Sequence, residues 1–279
     1  MLPELAIQIR KRLIVNADDF GFTADVNEGI LEAHTAGILT STTLMANGEA
    51  FDDAVRLAKE HPGLDVGCHL ALVGGKSVLA PDRALPATVP QLLGAIVSRR
   101  MQIHEELAAQ VNRILAAGIR PSHLDTHKHT HLAPPVLDAV ARLSEEFRIP
   151  WVRRPFDLPR TAARGAAPWL KRATSDGLRF LSARFERVLR SHHCRTTDYF
   201  AGFQLTGRFR AAELVRLIRA LPPGLTEFMC HPGKCGPALR GARTRLKDSR
   251  ADELAALVAP EVRRALEVAE IELVNFRIA

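Results

Sequence analysis

A parallel α/β fold, built as a distorted and irregular or incomplete (β/α) barrel, is the architecture the sequence predicts. Three observations point to it. Short β-rich apolar runs alternate with helical patterns along the 279 residues, an order that makes successive strands parallel. The first run, Leu13-Ile14-Val15, is apolar on both parities, as a strand covered on both faces must be. Titratable residues recur where such runs end, and in a β/α barrel the loops at the carboxyl ends of the strands form one rim.

In chain order, the runs predict strands at 13–18, 40–46, 65–70, 122–126, 150–153, 198–202, 226–230 and 271–276. Helical spacing falls between them at 24–36, 49–60, 103–117, 135–147, 211–220 and 252–269. The segment at about 158–197 breaks this rhythm with Pro159, Pro168 and dense arginine, and reads as a basic amphipathic insertion in a single barrel domain spanning 1–279. No internal repeat or low-complexity linker marks a second domain.

Composition bounds the rest. At 47% apolar residues the chain can bury a full core, and its length suits one large domain better than two small ones. No run approaches the roughly 18 apolar residues that span a bilayer. Residues 1–12 lack the apolar core and cleavage site of a secretory signal, so a cytoplasmic location is expected. Cys68, Cys194, Cys230 and Cys235 are too few and too irregular for a disulfide framework and receive no role. The net charge of +7 raises the question of a nucleic-acid partner, but a single tyrosine, two tryptophans and the lack of any RNA or DNA motif argue against one.

The chemistry gathers at the predicted strand ends. Asp18 and Asp19 close the first strand, His69 ends the third, His127 follows the fourth and His231 follows the run 226–230. Carboxylate and imidazole brought together by folding make a divalent-metal site, and a spare carboxylate beside it supplies a base, so the pattern reads as a metal-dependent hydrolase. Lone histidines such as His34 and His61 read as loop residues bonded to backbone. In the stretch 123–131, His123, Asp125, His127, His129 and His131 would share one face if the chain stayed extended. Pro134 and Pro135 end that extension, and not all five can bind one ion, so two or three of them are supporting partners or substrate contacts. Arg153 and Arg154 are candidates for substrate contact or for rim ion pairs. A metal phosphoesterase or another amidohydrolase would use the same ligand types, although the His-x-His pair of amidohydrolases normally follows the first strand and not the fourth. A non-catalytic membrane module is a third alternative.

Five segments carry a resemblance. Asn16-Ala17-Asp18-Asp19-Phe20-Gly21, Thr40-Ser41-Thr42-Thr43, Gly67-Cys68-His69-Leu70, His123-Leu124-Asp125-Thr126-His127 and Glu227-Phe228-Met229-Cys230-His231-Pro232-Gly233 resemble, in order, the YdjC-like (ChbG-type) carbohydrate deacetylase family, and within it most resemble the hopanoid-biosynthesis branch, HpnK. The resemblance spans roughly residues 12–276 and implies a NodB-deacetylase-like distorted barrel that removes N-acetyl groups from amino sugars. It implies Asp19, His69 and His127 as metal ligands, Asp18 as general base and His231 as general acid. Asp125, His129, His131 and Arg154 are the expected supporting or substrate residues.

Elementary chemistry agrees with those roles. Two imidazoles and a carboxylate leave coordination positions open for water and an acetyl oxygen, and this ligand set suits Zn²⁺ or Mg²⁺. An imidazole with an unperturbed pKa of about 6.5 can protonate a departing amine near neutrality. The hopanoid branch further implies a membrane-borne glycolipid with an N-acetylglucosamine head; a chitooligosaccharide such as diacetylchitobiose is the alternative substrate.

Within the insertion, nine bases stand against two acids between Arg160 and Arg195. Leu178, Leu181, Phe185, Val188 and Leu189 recur at helical spacing among Arg179, Arg184, Arg187 and Arg190. Such a helix can rest on the inner face of an anionic membrane through 165–195, or pack its stripe on the barrel and leave the arginines solvated. A homodimer is the expected assembly, as small barrels often pair.

Overall fold

The computed structural model describes residues 10–158 and 179–279. Among them, eight strands form one sheet: β1 (Lys11–Phe20), β2 (Ser41–Leu44), β3 (Asp65–Leu70), β4 (His123–Thr126), β5 (Trp151–Val152), β6 (Tyr199–Ala201), β7 (Gly224–Cys230) and β8 (Ile271–Leu273). Every strand pair is parallel, in the order β5-β4-β3-β2-β1-β7-β6, with β8 against β1.

β1 is the axis of the sheet. One edge pairs with β7 from Lys11 opposite Gly224 to Ala17 opposite Cys230. The other is shared, β8 taking residues 11–13 and β2 the part from Asn16 onward. Its residues from Leu13 to Phe20 are all buried, as covering on both faces requires. The outer strands are short because Pro150 and Pro155 bracket β5 and lack the N–H a ladder needs. The chain beyond β5 nonetheless bends round to β6: Asp157 bridges Phe200, and the Leu158 N–H donates to the Phe200 carbonyl at 2.8 Å. The curled parallel sheet is thus the distorted barrel the alternation predicts, brought together by an isolated bridge where a full ladder would otherwise run.

Helices α1 (Ala24–Thr35) and α2 (Phe51–Glu60) lie close to their predicted positions. The Thr23 hydroxyl starts α1 by accepting the Val26 N–H, and Val26, Ile30 and Ala33 turn inward. A helix the sequence reading passed over, α3 (Val89–Val97), starts at Thr88, whose hydroxyl accepts the Gln91 N–H. Val89, Leu92, Leu93 and Ile96 keep helical spacing in it, with Leu92 buried and Val89 and Ile96 packed against the core. α4 (Ile103–Ala116) and α5 (Pro134–Glu146) follow the predicted spacing, as does α7 (Ala211–Ala220), which comes after α6 (Ser182–Ser191). A short α8 (Pro237–Gly241) follows β7.

The single helix expected at 252–269 is two, α9 (Asp248–Leu257) and α10 (Pro260–Val268). Pro260 sits in the first turn of α10, where its missing N–H costs nothing, and cannot sit inside a continuous helix.

Of the insertion, residues 159–178, including Leu178 of the proposed stripe, lie outside the described residues. Of the stripe in and beside α6, Phe185 and Leu189 are buried in the core and Val188 packs against it, whereas Leu181 is exposed, as are Arg184, Arg187 and Arg190. The part of the apolar face formed by Phe185, Val188 and Leu189 is therefore spent on the barrel and is not free for acyl chains. No helix among the described residues is long and apolar enough to cross a membrane.

Candidate metal centre and active site

Asp18 and Asp19 are neighbours on a strand and should point to opposite faces. Two local features bring both to the inside. The β1–β2 register shifts between Ala17 and Phe20, and Asp19 takes the left-handed conformation, φ +71°, which aspartate tolerates better than most residues.

Asp19 Oδ1 then lies 3.1 Å from His127 Nδ1 and 3.4 Å from His69 Nε2, and the two ring nitrogens are 3.3 Å apart. This is a compact N,N,O donor set of the kind that holds a divalent ion. Asp19 Oδ1 is buried and makes no hydrogen bond to the protein, an unmet acceptor that a cation would satisfy.

The ligand rings are aimed by their neighbours. The His69 Nδ1–H donates to Asp125 Oδ1 at 2.6 Å, which leaves Nε2 to face the cluster, and the Thr43 hydroxyl donates to Asp125 Oδ2 at 3.1 Å. A carboxylate behind a ligating imidazole fixes both its tautomer and its orientation. Burial alone would lower the pKa of His69, but the Asp125 and Asp18 carboxylates outweigh it and raise the pKa to about 10. Positive charge is therefore strongly favoured at this ring. Asp19 Oδ2 is held by the guanidinium of Arg250, itself buried on α9.

Beside this cluster, Asp18 grips the fully buried Arg153. Arg153 Nη2 donates to Asp18 Oδ1 at 2.6 Å and Nη1 to Oδ2 at 2.8 Å. The same guanidinium reaches Asp125 Oδ2 at 2.6 Å and Glu227 Oε1 at 2.7 Å, so one cation ties three carboxylates from β1, β4 and β7. Burial would raise the Asp18 pKa, yet Arg153 holds it well below the usual carboxylate range. Glu227 lacks such a grip on Oε2, which has no partner, and burial pushes its pKa up to about 7.

His231 follows β7, with Nε2 at 3.9 Å from Asp18 Oδ2 and Nδ1 unpartnered. Its backbone N–H donates to the buried Glu253 at 2.6 Å. Burial lowers its pKa to about 4, so the expectation of an unperturbed imidazole is corrected: His231 rests neutral at pH 7.

Beyond Thr126 the histidine-rich stretch leaves the strand. Residues His127–Leu132 form a tight 3-10 turn in which Lys128 and His129 are left-handed, so the shared face ends at His127. The His131 Nε2–H donates to the Arg153 carbonyl at 3.2 Å and its Nδ1 faces the Thr126 hydroxyl; it braces the backbone of the arginine. His129 packs against Phe200 and Phe203. Arg154 turns away from the carboxylate cage, pairing with Glu186 at 3.0 Å and with the Asp198 carbonyl.

The sequence reading expected Arg154, and not Arg153, among the supporting residues, whereas the structure puts Arg153 in the carboxylate cage; that reading assigned no role to Arg250, Glu253, Thr43 or Glu227. A carboxylate inside a largely apolar strand, as at Glu227 in β7, was a usable signal; Thr43, next to Ser41 and Thr42, stood out from nothing. Arg250 offered none, because its partner lies 231 residues away.

A profile of the YdjC-like protein family matches residues 12–268. The chain belongs to the YdjC-like family. This YdjC-like protein is 36% identical over 276 residues to a protein of Brevibacillus brevis named carbohydrate deacetylase, covering 95% of this chain and 98% of that one. It is 34% identical over 272 residues to a carbohydrate deacetylase of Geobacillus stearothermophilus, covering 95% and 96%. Its fold matches the crystal structure of an Enterococcus faecalis V583 protein whose name carries a proposed role in cellobiose-phosphate cleavage, with TM-score 0.74, 24% identity and 96% and 98% of the two chains covered.

Proposed function

We propose that this protein is a metal-dependent carbohydrate deacetylase that hydrolyses the N-acetyl group of an amino sugar. The observation that carries the reading is the convergence of Asp19, His69 and His127 within 3.4 Å of one another, with Asp18 and His231 beside them. The names of the Brevibacillus and Geobacillus relatives support the same activity.

In this reading Asp19 Oδ1, His69 Nε2 and His127 Nδ1 hold Zn²⁺ or Mg²⁺. When bound, the ion polarises the acetyl carbonyl and acidifies water. Asp18 takes the proton of the attacking water on Oδ2. His231, neutral at rest, accepts that proton across the 3.9 Å gap and delivers it to the departing amine, so one proton serves both halves of the reaction. Arg153 fixes the Asp18 carboxylate, and Asp125 fixes the His69 ring.

The substrate is the N-acetylglucosamine head of a hopanoid glycolipid, as the resemblance to the hopanoid branch implies; peripheral membrane contact and a homodimer remain parts of this proposal. Diacetylchitobiose is the second reading, favoured by the carbohydrate deacetylase names of the relatives. The test is incubation of Zn²⁺- or Mg²⁺-loaded protein with each compound, followed by mass spectrometry. Loss of one acetyl group from either supports deacetylation and names the substrate. Unchanged mass for both, with release of phosphate from a phosphoester panel, refutes it.

A further inference from the structure

Asp18 is held from below as well as from the side. Its Oδ1 accepts the Asn16 side-chain N–H at 3.2 Å, and Asn16 Oδ1 in turn lies 3.0 Å from His123 Nε2. His123 is wholly buried on β4, and its ring occupies space that only a glycine at position 67 leaves open: a Cβ there would lie 2.4 to 2.6 Å from the imidazole. The segment after β8 closes the other side. Phe276 stacks on the His123 ring at 3.8 Å and 21°, while its N–H donates to buried Asp65 at 2.9 Å.

We propose that Asn16 and His123 form a positioning relay that dictates which oxygen of Asp18 receives the proton of the attacking water, with Phe276 seating the relay from beneath. The proposal rests on the deacetylase reading above and extends it to residues outside the metal cluster and its carboxylates.

The hydrogen-bond directions leave a single arrangement. An ionised Asp18 can only accept, so Asn16 must turn its NH₂ group toward Asp18 and its carbonyl oxygen toward His123. That oxygen can only accept, so His123 carries its proton on Nε2. Its Nδ1 is then the acceptor for the Ser122 hydroxyl at 2.8 Å. Burial holds His123 neutral, which keeps Nδ1 free to accept. At the far end, Asp18 Oδ1 is saturated by two donors, Asn16 and Arg153 Nη2, whereas Oδ2 has only Arg153 Nη1 and faces His231. The lone pair left for chemistry is on Oδ2, on the side of the proposed acid. Without Asn16 the carboxylate can rock about its bond to Arg153, and the fraction of time Oδ2 spends aligned falls.

The experiment combines kinetics with histidine ¹⁵N NMR on full-length protein. His123→Phe keeps a ring for Phe276 to stack on and removes the N–H; Asn16→Ala removes the next link. Asn16→Ala, which loses a hydrogen bond to a charged carboxylate, lowers kcat about tenfold or more, and His123→Phe, which loses a neutral one, lowers it about fivefold, with KM and bound metal unchanged. Because both act through one chain, the double variant loses no more than Asn16→Ala alone. Independent structural damage would instead make the losses multiply, and wild-type kcat in folded, metal-loaded His123→Phe would also overturn the relay. In the wild-type protein near pH 7, two-bond ¹H–¹⁵N spectra show His123 as the neutral Nε2–H tautomer with a proton protected from solvent. An Nδ1–H tautomer or an imidazolium there refutes the relay even if the variants fail to fold. Absence of acetyl release by wild-type protein on every amino sugar tells against the deacetylase reading, whereas the NMR result judges the relay in that same sample.

Discussion

Replacing Arg153 with methionine removes one positive charge and leaves nearly the same volume, which isolates what the guanidinium does. In the wild type it is 1% exposed and bonds Asp18, Asp125 and Glu227 at 2.6 to 2.8 Å. Without it three carboxylates from three strands face one another with no cation between them. Breaking one buried ion pair costs about 3–5 kcal/mol, and a protein of this size class loses about 2–4 °C per kcal/mol. The Arg153→Met variant is therefore expected to melt about 10 °C or more below wild type at pH 8. The deficit has a pH signature. Glu227 has a pKa of about 7 even with Arg153 present, so in the variant it becomes protonated more readily. A carboxyl raised in the folded state adds stability that is full below its unfolded pKa and is lost as pH rises through the folded value. The gap between variant and wild type should narrow as pH falls from 8 to 5.5. Calorimetry at the two pH values reads the melting temperatures, and acetyl release reads catalysis, expected to drop by about a hundredfold or more as Asp18 loses its anchor. A variant that melts with the wild type and turns over at its rate would refute the idea that Arg153 organises the site.

Asp18→Asn should abolish turnover while bound metal, read by elemental analysis, stays near stoichiometric, whereas His127→Ala should lose both; normal turnover in Asp18→Asn would remove that residue from the base role. The buried, neutral His131, with a pKa lowered to about 3, contributes stability that is present above pH 6.5 and is lost as pH falls toward 3. His131→Gln removes this titration, so the difference in unfolding free energy between wild type and variant should change by about 1.4 kcal/mol per pH unit between pH 6 and 4, and parallel stability curves would show that His131 titrates normally.

The parallel barrel was legible because its cause is local. A strand such as β1, apolar on both parities, and helices with one buried face each write their own period into the sequence. α3 was passed over although Val89, Leu92, Leu93 and Ile96 keep helical spacing, because Pro86, Pro90 and Gly94 in and around it read as loop signals. The break at Pro260 was legible in principle, since a proline cannot continue a helix, yet the apolar spacing on either side of it happens to run on. The site divides along the same line. Asp18, Asp19, His69, His127 and His231 could be grouped from the sequence because each follows a predicted strand, and the barrel gathers strand ends at one rim. Of the groups that hold them, Asp125 and His123 could be placed on the same strand face as His127, whereas Arg250 on α9 gains its partner only through the three-dimensional fold.

What distinguishes this site from a surface ligand cluster is its charge balance. Asp18, Asp19, Asp125 and Glu227 are all buried, and among the described residues two buried guanidiniums, Arg153 and Arg250, face them. Charges removed from water are costly unless matched, so the fold leaves a deficit of positive charge beside Asp19, where Oδ1 has no donor. A proton on His69 offsets part of it, which is why that ring's pKa is raised to about 10. A divalent ion held as proposed would offset more, and it would have to displace that proton to use Nε2 as a ligand. In the proposed metal centre, binding would be coupled to proton release, and these buried carboxylates would supply the ion's affinity.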